Sequence, residues 1–200
     1  MEILKSNWIT YLSATSVYGD HNGEWVDENS KVNPLTENGK SRLNAEKIWI
    51  NIAKKKNLPI QIFRLSGIYS QERNILEKIK SGSHQIINKP NHFFSRIHVE
   101  DISNVLKITQ DLKYIKPGEI YNLSDDYPCS NIEIANYAYD LIKASKPKMI
   151  EIHEIKSEML KNFYKDSKKV NNRKIKKVFS YQLKFPTYKE GLNSIFNHFV

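Results

Sequence analysis

Two basic side chains near the middle of the chain have the chemistry of a ligand-binding site. Arg96 could hold a phosphate or a carboxylate through two parallel hydrogen bonds, because its guanidinium group presents paired donors. His98 could contact a substrate, although a half-buried ring hydrogen-bonded to the backbone is the commoner explanation for such a histidine. Arg64 lies in an apolar run and is predicted to pair with a buried carboxylate. Asp101 precedes an apolar-periodic segment, which predicts that it caps a helix.

Metal and redox chemistry are not indicated by the sequence. No cluster of histidine, cysteine, aspartate and glutamate has the spacing of metal ligands. Cys129 is the single cysteine and cannot form an internal disulfide, so we expect an ordinary buried or half-buried thiol.

A strand-helix-strand unit is predicted in the first third of the chain. Trp8 to Ser13 is a β-rich run, Glu37 to Lys56 is a long helix, and Ile60 to Tyr69 is a second apolar strand. The helical crossover makes the two strands parallel. Functional groups are expected after the first strand, because ligands bind at the carboxyl ends of parallel strands. Gly67 permits a close backbone approach or a bend near the end of the second strand.

The rest of the chain alternates less regularly. Ser130 and Glu133 have the spacing of a capping box at the start of a helix. Helices are predicted at about 72–81, at 132–144 and at 186–200, and a further helix follows residues 97–101 and runs to about 112. Strands are predicted at 84–88 and 119–123. With 40% hydrophobic and 11% aromatic residues, the chain can bury one sizeable core. We therefore predict an α/β fold.

The net charge of +9 would attract an anionic partner, but the pattern of the charges does not favour one. The excess is lysine rather than arginine, and the densest basic stretch, Lys165 to Lys177, has few aromatic residues on which bases could stack. Nucleic-acid binding is therefore disfavoured. No apolar run reaches the ~18 residues of a membrane helix, and no signal peptide opens the chain. A cytoplasmic protein without a membrane partner is predicted.

Six motifs, in order over almost the whole chain, resemble the extended and atypical short-chain dehydrogenases/reductases of the NAD-dependent epimerase/dehydratase family. Leu12 to Gly19 is similar to the family's strand-to-loop motif Ser-Ser-x-x-Val-Tyr-Gly. Gly39 to Glu46, with Asp27, Glu28 and Pro34 before it, resembles the family's Tyr-Gly-x-Ser-Lys-x-x-x-Glu helix. The other matches are Arg64 to Tyr69 (the sixth-strand motif), Arg96 to Ile102 (the hydrophobic-His-Val-Asp-Asp turn), and Ile120 to Pro128 and Phe185 to Leu192, both similar to the YeeZ-like subgroup.

This resemblance implies the C-terminal part of a Rossmann-like doubly wound parallel sheet with a small substrate-binding lobe. Residues 1–200 are expected to form one partial NAD(P)-binding Rossmann-like domain, with its core at about 1–70 and 97–125 and the lobe at about 71–96 and 126–200. The chain starts before what resembles the family's fifth strand, so an N-terminal half of at least two βαβ units is expected to be missing. We predict either a homodimer through the resulting free sheet edge or a complementing N-terminal segment.

The resemblance also implies NAD or NADP as the cofactor, although the phosphate-binding Gly-x-Gly-x-x-Gly turn is absent from this sequence. The nicotinamide end is expected at the carboxyl ends of the first two strands, with the substrate beside it. The implied cofactor-binding residues are Ser13, Ala14, Leu65, Ser66 and Gly67. The implied substrate-binding residues are Ser16, Arg96 and His98.

The family's catalytic positions hold other residues in this chain. The family uses a serine, a tyrosine as general acid/base and a lysine that lowers the tyrosine's pKa, and these positions hold Ala14, Asn38 and Arg42. An amide cannot exchange the proton, and Arg42 does not titrate near neutral pH. The YeeZ-like subgroup also departs at the tyrosine. Thr15, Tyr18 and Arg42 remain candidates for a degenerate triad, although Tyr18 is more simply explained as a packing residue of its turn.

The expected function is that of an NAD(P)-dependent oxidoreductase or epimerase acting on a small carbonyl or nucleotide-sugar-like substrate, inactive or impaired in the truncated chain. The alternatives are a non-catalytic dinucleotide-binding or sensing protein, and an interaction or nucleic-acid-binding fragment. The sequence leaves the substrate and the choice between NAD and NADP open.

Overall fold

The structure of the protein is a computed structural model that describes residues 6–111, 113 and 116–198. Its strands are β1 (Ile9–Ala14), β2 (Trp25–Val26), β3 (Ile60–Leu65), β4 (Gly67–Tyr69), β5 (Ile87–Asn88), β6 (Phe93–Phe94), β7 (Arg96–His98), β8 (Glu119–Leu123), β9 (Cys129–Ser130), β10 (Ile150–Glu151) and β11 (Lys169–Val170). Its helices are α1 (Glu37–Lys56), α2 (Ile75–Lys80), α3 (Val99–Ile108), α4 (Asn131–Leu141), α5 (Glu158–Phe163), α6 (Arg173–Phe179) and α7 (Tyr188–Asn197). Short 3-10 turns occur at Thr15–Tyr18 and Ile152–Glu154.

A three-stranded parallel sheet in the order β1-β3-β8 forms the centre of the fold. Every residue of β3 is buried, because β3 lies between two strands and has helices on both of its faces. On one face α1 packs against β1, where Tyr11 contacts Trp49. On the other, α3 and α6 share a cluster with β3 and β8 that includes Phe63, Val105 and Ile175. The predicted α/β fold with a doubly wound parallel sheet is confirmed.

The helix α1 has the bounds predicted from the sequence, and both of its ends are capped. The Thr36 hydroxyl accepts a hydrogen bond from the Gly39 amide at the start of the helix. At the end, Asn57 adopts a left-handed conformation, and Lys54 to Lys56 occupy the last turn, where the helix dipole favours positive charge. As the crossover between parallel strands, α1 brings the carboxyl ends of β1 and β3 to the same edge of the sheet.

Four small pairs of strands lie outside the central sheet. β4 pairs with β7 and β5 with β10, both in parallel. β6 pairs with β9 in an antiparallel manner. β2, which lies between β1 and α1, pairs in parallel with β11. Strands of two residues carry no periodic pattern, which explains why this pairing could not be predicted.

The role predicted for Asp101 was wrong. The cap of α3 is His98, whose Nδ1 accepts a hydrogen bond from the Glu100 amide at 3.2 Å. Asp101 is the third residue of α3, in its first turn, and is fully buried. Its carboxylate accepts hydrogen bonds from the Tyr181 hydroxyl at 2.6 Å and from the Lys184 amide at 2.7 Å. The carboxylate thus anchors the connection between α6 and α7 to α3 instead of ending a helix.

Several other predicted elements are shorter in the structure. The helix predicted from 72 begins at Ile75, because the Asn74 side chain accepts a hydrogen bond from the Glu77 amide and caps it. The helix predicted to run to about 112 ends at Ile108, and residue 112 lies outside the described residues. The strand predicted at 84–88 is confined to Ile87–Asn88, and the final helix to Tyr188–Asn197.

Gly191 allows α7 to lie directly against Tyr69. A Cβ atom at this position would come within 2.1 Å of the Tyr69 hydroxyl oxygen. We expect Gly191→Ala to lower the free energy of unfolding by about 1–3 kcal/mol, because the buried ring must move, even though alanine favours helix formation. Chemical denaturation measures this change. Ser194→Ala on the same helix is the control, and an equal or higher stability of Gly191→Ala would contradict the packing.

None of the helices in the described ranges has both the length and the apolar composition needed to span a lipid bilayer.

Candidate functional site

The carboxyl ends of β1 and β3 bring most of the predicted site residues to one edge of the sheet. The register places Ala14 opposite Leu65. Thr15 and Ser16 follow directly in a 3-10 turn, and Ser66 and Gly67 follow β3. The pairing of β4 with β7 then places Gly67 opposite Arg96 and Tyr69 opposite His98. The expected cofactor-binding and substrate-binding segments are therefore neighbours in the structure.

Side chains that line this edge are only partly open to ligand. Ala14, Ser16 and Gly67 are half-buried, whereas Thr15 and Ser66 are buried. In the described part of the chain, the Ser66 hydroxyl has no hydrogen-bond partner. Such an orphaned donor is costly unless a ligand or water satisfies it. Gly67 is needed here because a Cβ atom would come within 2.3 Å of the Phe94 ring.

Ser13 serves the core instead of the open edge. Its hydroxyl donates to Glu46 Oε1 at 2.6 Å, and the Glu46 carboxylate also accepts a hydrogen bond from Arg64 Nη2 at 2.8 Å. All three residues are buried. The carboxylate partner predicted for Arg64 is therefore confirmed, and Glu46 joins β1, α1 and β3 below the candidate site.

Tyr18 is fully buried, so its phenol hydroxyl has no contact with solvent. Its hydroxyl donates to Asn122 Oδ1 at 2.8 Å, and the Arg64 guanidinium lies over its ring at 4.8 Å. Burial raises the pKa of Tyr18 to about 12, and the opposing effect of Arg64 is smaller. A phenol in this state is a poor acid or base at neutral pH, which supports the packing interpretation over the catalytic one.

The family's tyrosine and lysine positions do not form an acid/base pair in this structure. Asn38 is exposed in the first turn of α1. Arg42 is also exposed, and its Nη1 donates to the main-chain carbonyl of Leu12 at 2.8 Å. Arg42 therefore lies beside β1, where it contacts the backbone instead of a phenol.

Arg96 is occupied by contacts within the protein. Its Nη1 donates to the Phe94 carbonyl at 3.0 Å and to Cys129 Sγ at 3.2 Å, and its Nη2 donates to Asn131 Oδ1 at 2.6 Å. A bidentate clamp on an anion would have to replace these bonds. Cys129 is a buried thiol as predicted, and burial raises its pKa to about 11.

His98 matches the backbone-bonded alternative that the sequence suggested. Its Nδ1 accepts the hydrogen bond from the Glu100 amide that caps α3. Its ring packs against Tyr69 and Phe185, with distances of 5.0 and 4.1 Å between the ring centroids. Burial lowers its pKa, so the ring is neutral at physiological pH. Contact with a substrate remains a prediction for this residue.

Sequence reasoning missed a buried carboxyl group, Asp125, which lies just beyond β8. Asp125 is 1% exposed, and within the described ranges its Oδ2 has no hydrogen-bond partner. Burial raises its pKa to about 8, against the attraction of Arg96. The Tyr69 hydroxyl is likewise buried without a partner there, and burial together with Asp125 raises its pKa. In the sequence, Asp125 lies in the Ile120 to Pro128 stretch, which was noted only for its resemblance to the YeeZ-like subgroup.

A surface cavity of about 500 Å³ lies beside α6 rather than at the ends of β1 and β3. Its lining residues are Asp126, Lys176, Ser180, Tyr181, Gln182, Leu183 and Pro186. Lys176 already forms an ion pair with Asp126, so the cavity offers no free charge from this pair. The sheet edge is the stronger candidate site, because the orphaned Ser66 hydroxyl and the converging ends of β1 and β3 lie there. Across the described residues, no group of three potential metal ligands is close enough to hold an ion.

Similar structures define the class of fold. No protein-family model matches the sequence, and no curated protein matches it. A conserved protein of unknown function from Silicibacter pomeroyi has a solved structure with 38% sequence identity and a TM-score of 0.88, covering 96% of this chain and 66% of that one. The dTDP-glucose 4,6-dehydratase of Bacillus anthracis, solved with NAD, has 19% identity and a TM-score of 0.77, covering 95% and 60%. MoeE5, solved with UDP-glucose and NAD, has 18% identity and a TM-score of 0.79, covering 96% and 64%.

The chain has the Rossmann-like fold of NAD-dependent epimerases and dehydratases. It spans less than two thirds of the length of each of the three structures described above. The likeness to the two enzymes concerns the fold alone, because their sequence identities are low.

Proposed function

We propose that this chain carries the nicotinamide-side and substrate-side part of the ligand cleft of an NAD(P)-dependent oxidoreductase or epimerase-type protein. The ligand would be a small carbonyl compound or a nucleotide sugar. The observation that carries this proposal is the convergence of Ala14 to Ser16 with Leu65 to Gly67 at one sheet edge, next to β7. Ligands of doubly wound sheets bind outside the carboxyl ends of the strands.

The fit to a dinucleotide is partial. At the nicotinamide end, Gly67 is half-buried, and the Ser66 hydroxyl is buried without a hydrogen-bond partner among the described residues. At the pyrophosphate end, none of the seven glycines forms the Gly-x-Gly-x-x-Gly turn that lets phosphates approach the backbone. We therefore assign no reaction step to a cofactor. The same proposal includes a division of the chain into a core, at about 1–70 and 97–125, and a lobe, at about 71–96 and 126–200. It also includes membership of the YeeZ-like subgroup.

A second candidate function is ligand binding or sensing without catalysis. It is favoured by the buried Tyr18 phenol, by Asn38 at the family's tyrosine position and by the engagement of Arg42 with the backbone. Thr15 and Ser16 can orient a ligand oxygen, but burial keeps the phenol of Tyr18, the candidate acid/base on the same turn, protonated near neutral pH. We expect binding of a nucleotide sugar without turnover in the presence of NAD or NADP.

Isothermal titration with UDP-glucose, and separately with NAD, tests this proposal. Ser66→Ala and Thr15→Val each remove one hydroxyl from the edge, and each is expected to weaken UDP-glucose binding by roughly 3–10-fold, the value of one hydrogen bond. Ser83→Ala, which removes an exposed hydroxyl outside this edge, is the matched control. Equal affinity in all four proteins would count against a ligand cleft at this edge. Reduction of NAD that Tyr18→Phe abolishes would count against binding without catalysis.

A further inference from the structure

Asp125 and Arg96 are two buried ionisable residues that are neighbours but do not pair. The Asp125 side chain is buried, and its Oδ2 has no hydrogen-bond partner among the described residues. Arg96 is 8% exposed, and within the same residues it forms no ion pair. The Asp125 amide donates to the Arg96 carbonyl at 2.7 Å, which fixes the two residues side by side. A buried charge without an opposite charge is costly, so each residue is a natural partner for the other.

The present partners of the Arg96 guanidinium are all uncharged. They are the Phe94 carbonyl, Cys129 Sγ at 3.2 Å and Asn131 Oδ1 at 2.6 Å. A thiol is a weak acceptor, whereas a carboxylate can accept two parallel hydrogen bonds from one guanidinium. An ionised Asp125 therefore competes well with these partners for Arg96.

The surroundings of Asp125 decide when it ionises. Burial raises its pKa to about 8 against the attraction of Arg96, and the charge of Asp126 adds to the rise. The other ionisable groups in this region are Tyr69 on β4 and Cys129 on β9, which both interact with Asp125, and Asp101 on α3, Glu133 on α4 and Glu190 on α7, which interact with Tyr69 or Cys129. Within this set, Arg96 is the cation that an ionised Asp125 can bind.

We propose that Asp125 and Arg96 form a proton-operated switch. When Asp125 releases its proton to solvent, the Arg96 guanidinium leaves its present partners and pairs with the carboxylate. Asn131 is the first residue of α4, and its Nδ2 donates to the Tyr164 hydroxyl at 2.9 Å, so the bond from Arg96 ties β7 to the start of α4. This tie is present below about pH 8 and is released as the pH rises above that value.

NMR of the wild-type protein between about pH 5 and about pH 10 tests the switch, through the carboxyl carbon signal of Asp125 and the side-chain nitrogen signals of Arg96. Both are expected to change with one midpoint near pH 8. The amides at the start of α4 are expected to lose protection from hydrogen exchange above this midpoint. A midpoint below about pH 6, or Arg96 signals that stay constant while Asp125 ionises, would overturn the proposal.

Variants of Asn131 test whether this residue and Asp125 compete for Arg96. Asn131→Ala removes the present acceptor and is expected to lower the Asp125 midpoint by about half a pH unit to one unit, the value of one hydrogen bond. Asn131→Asp supplies a competing carboxylate and is expected to raise the midpoint by about one unit or more.

Tyr164→Phe is the matched control, because it removes the other hydrogen bond of Asn131 and leaves the acceptor of Arg96 in place. Its midpoint is expected to stay close to that of the wild type. Hydrogen exchange of the β3 amides confirms that each variant keeps the central sheet. An unchanged midpoint in Asn131→Ala, or an equal fall in Tyr164→Phe, would overturn the competition for Arg96 and with it the proposal.

Discussion

Replacing Glu46 by alanine is expected to lower the free energy of unfolding by about 3–5 kcal/mol, because it leaves a buried cation without its partner. The side chains of Glu46 and Arg64 are only 1% and 4% exposed, and their closest atoms lie 2.8 Å apart. The variant also removes the acceptor of the Ser13 hydroxyl. Urea denaturation of both proteins measures the difference.

Two further variants make this result specific to the buried pair. Glu46→Leu combined with Arg64→Met replaces both charges by apolar groups and should regain much of the lost stability. Lys146→Ala breaks an exposed pair with Asp140 and should change stability by less than about 1 kcal/mol. A loss below about 1 kcal/mol for Glu46→Ala would mean that water reaches Arg64 and that the ion pair is not buried.

Asp125→Asn is expected to stabilise the protein by about 3–5 kcal/mol near pH 8.5 and to change little near pH 4. Burial raises the pKa of Asp125 from its ordinary value of 3.8 to about 8, so the folded state keeps a proton that the unfolded state releases. The contribution of Asp125 to the free energy of unfolding is therefore fully present below about pH 4, and it is lost as the pH rises toward about 8. Each pH unit in this window costs about 1 kcal/mol or more.

Denaturation curves at several pH values test this expectation. Asparagine keeps the oxygen that accepts the Tyr127 amide and carries no charge, so the fall with pH should disappear in the variant. Asp140→Asn alters an exposed carboxyl and should leave the fall unchanged. Parallel pH profiles of the wild type and Asp125→Asn would show that Asp125 ionises normally, contrary to its burial.

The parts of the fold that could be predicted are those with strong periodic patterns. The unit β1-α1-β3 was predicted because its strands are apolar, and because Pro34 precedes the helix and Asn57 to Pro59 follow it. Parallel strands then fixed which loops meet, so the convergence of Thr15 with Ser66 followed from topology. That Arg64 needs a carboxylate was also predictable, but its identity as Glu46 depends on the rotation of α1 against the sheet.

The candidate site was harder to predict, because polar side chains in the core serve partners that lie far away in the sequence. Asp101 bonds to residues about eighty positions later, and Arg96 bonds to Asn131. Asp125 follows β8 in a segment without a periodic pattern, yet the structure buries it almost completely. Local patterns do not contain these long-range pairings, so capping or ligand binding was the natural prediction for such residues.

The most direct test of the proposed function is to follow the backbone amide signals of the labelled protein by NMR while UDP-glucose is added. We expect the largest shifts at Thr15, Ser16, Ser66 and Gly67, at the carboxyl ends of β1 and β3. Shifts concentrated around the cavity beside α6, or no shifts at saturating ligand, would contradict the assignment of the ligand cleft to this edge.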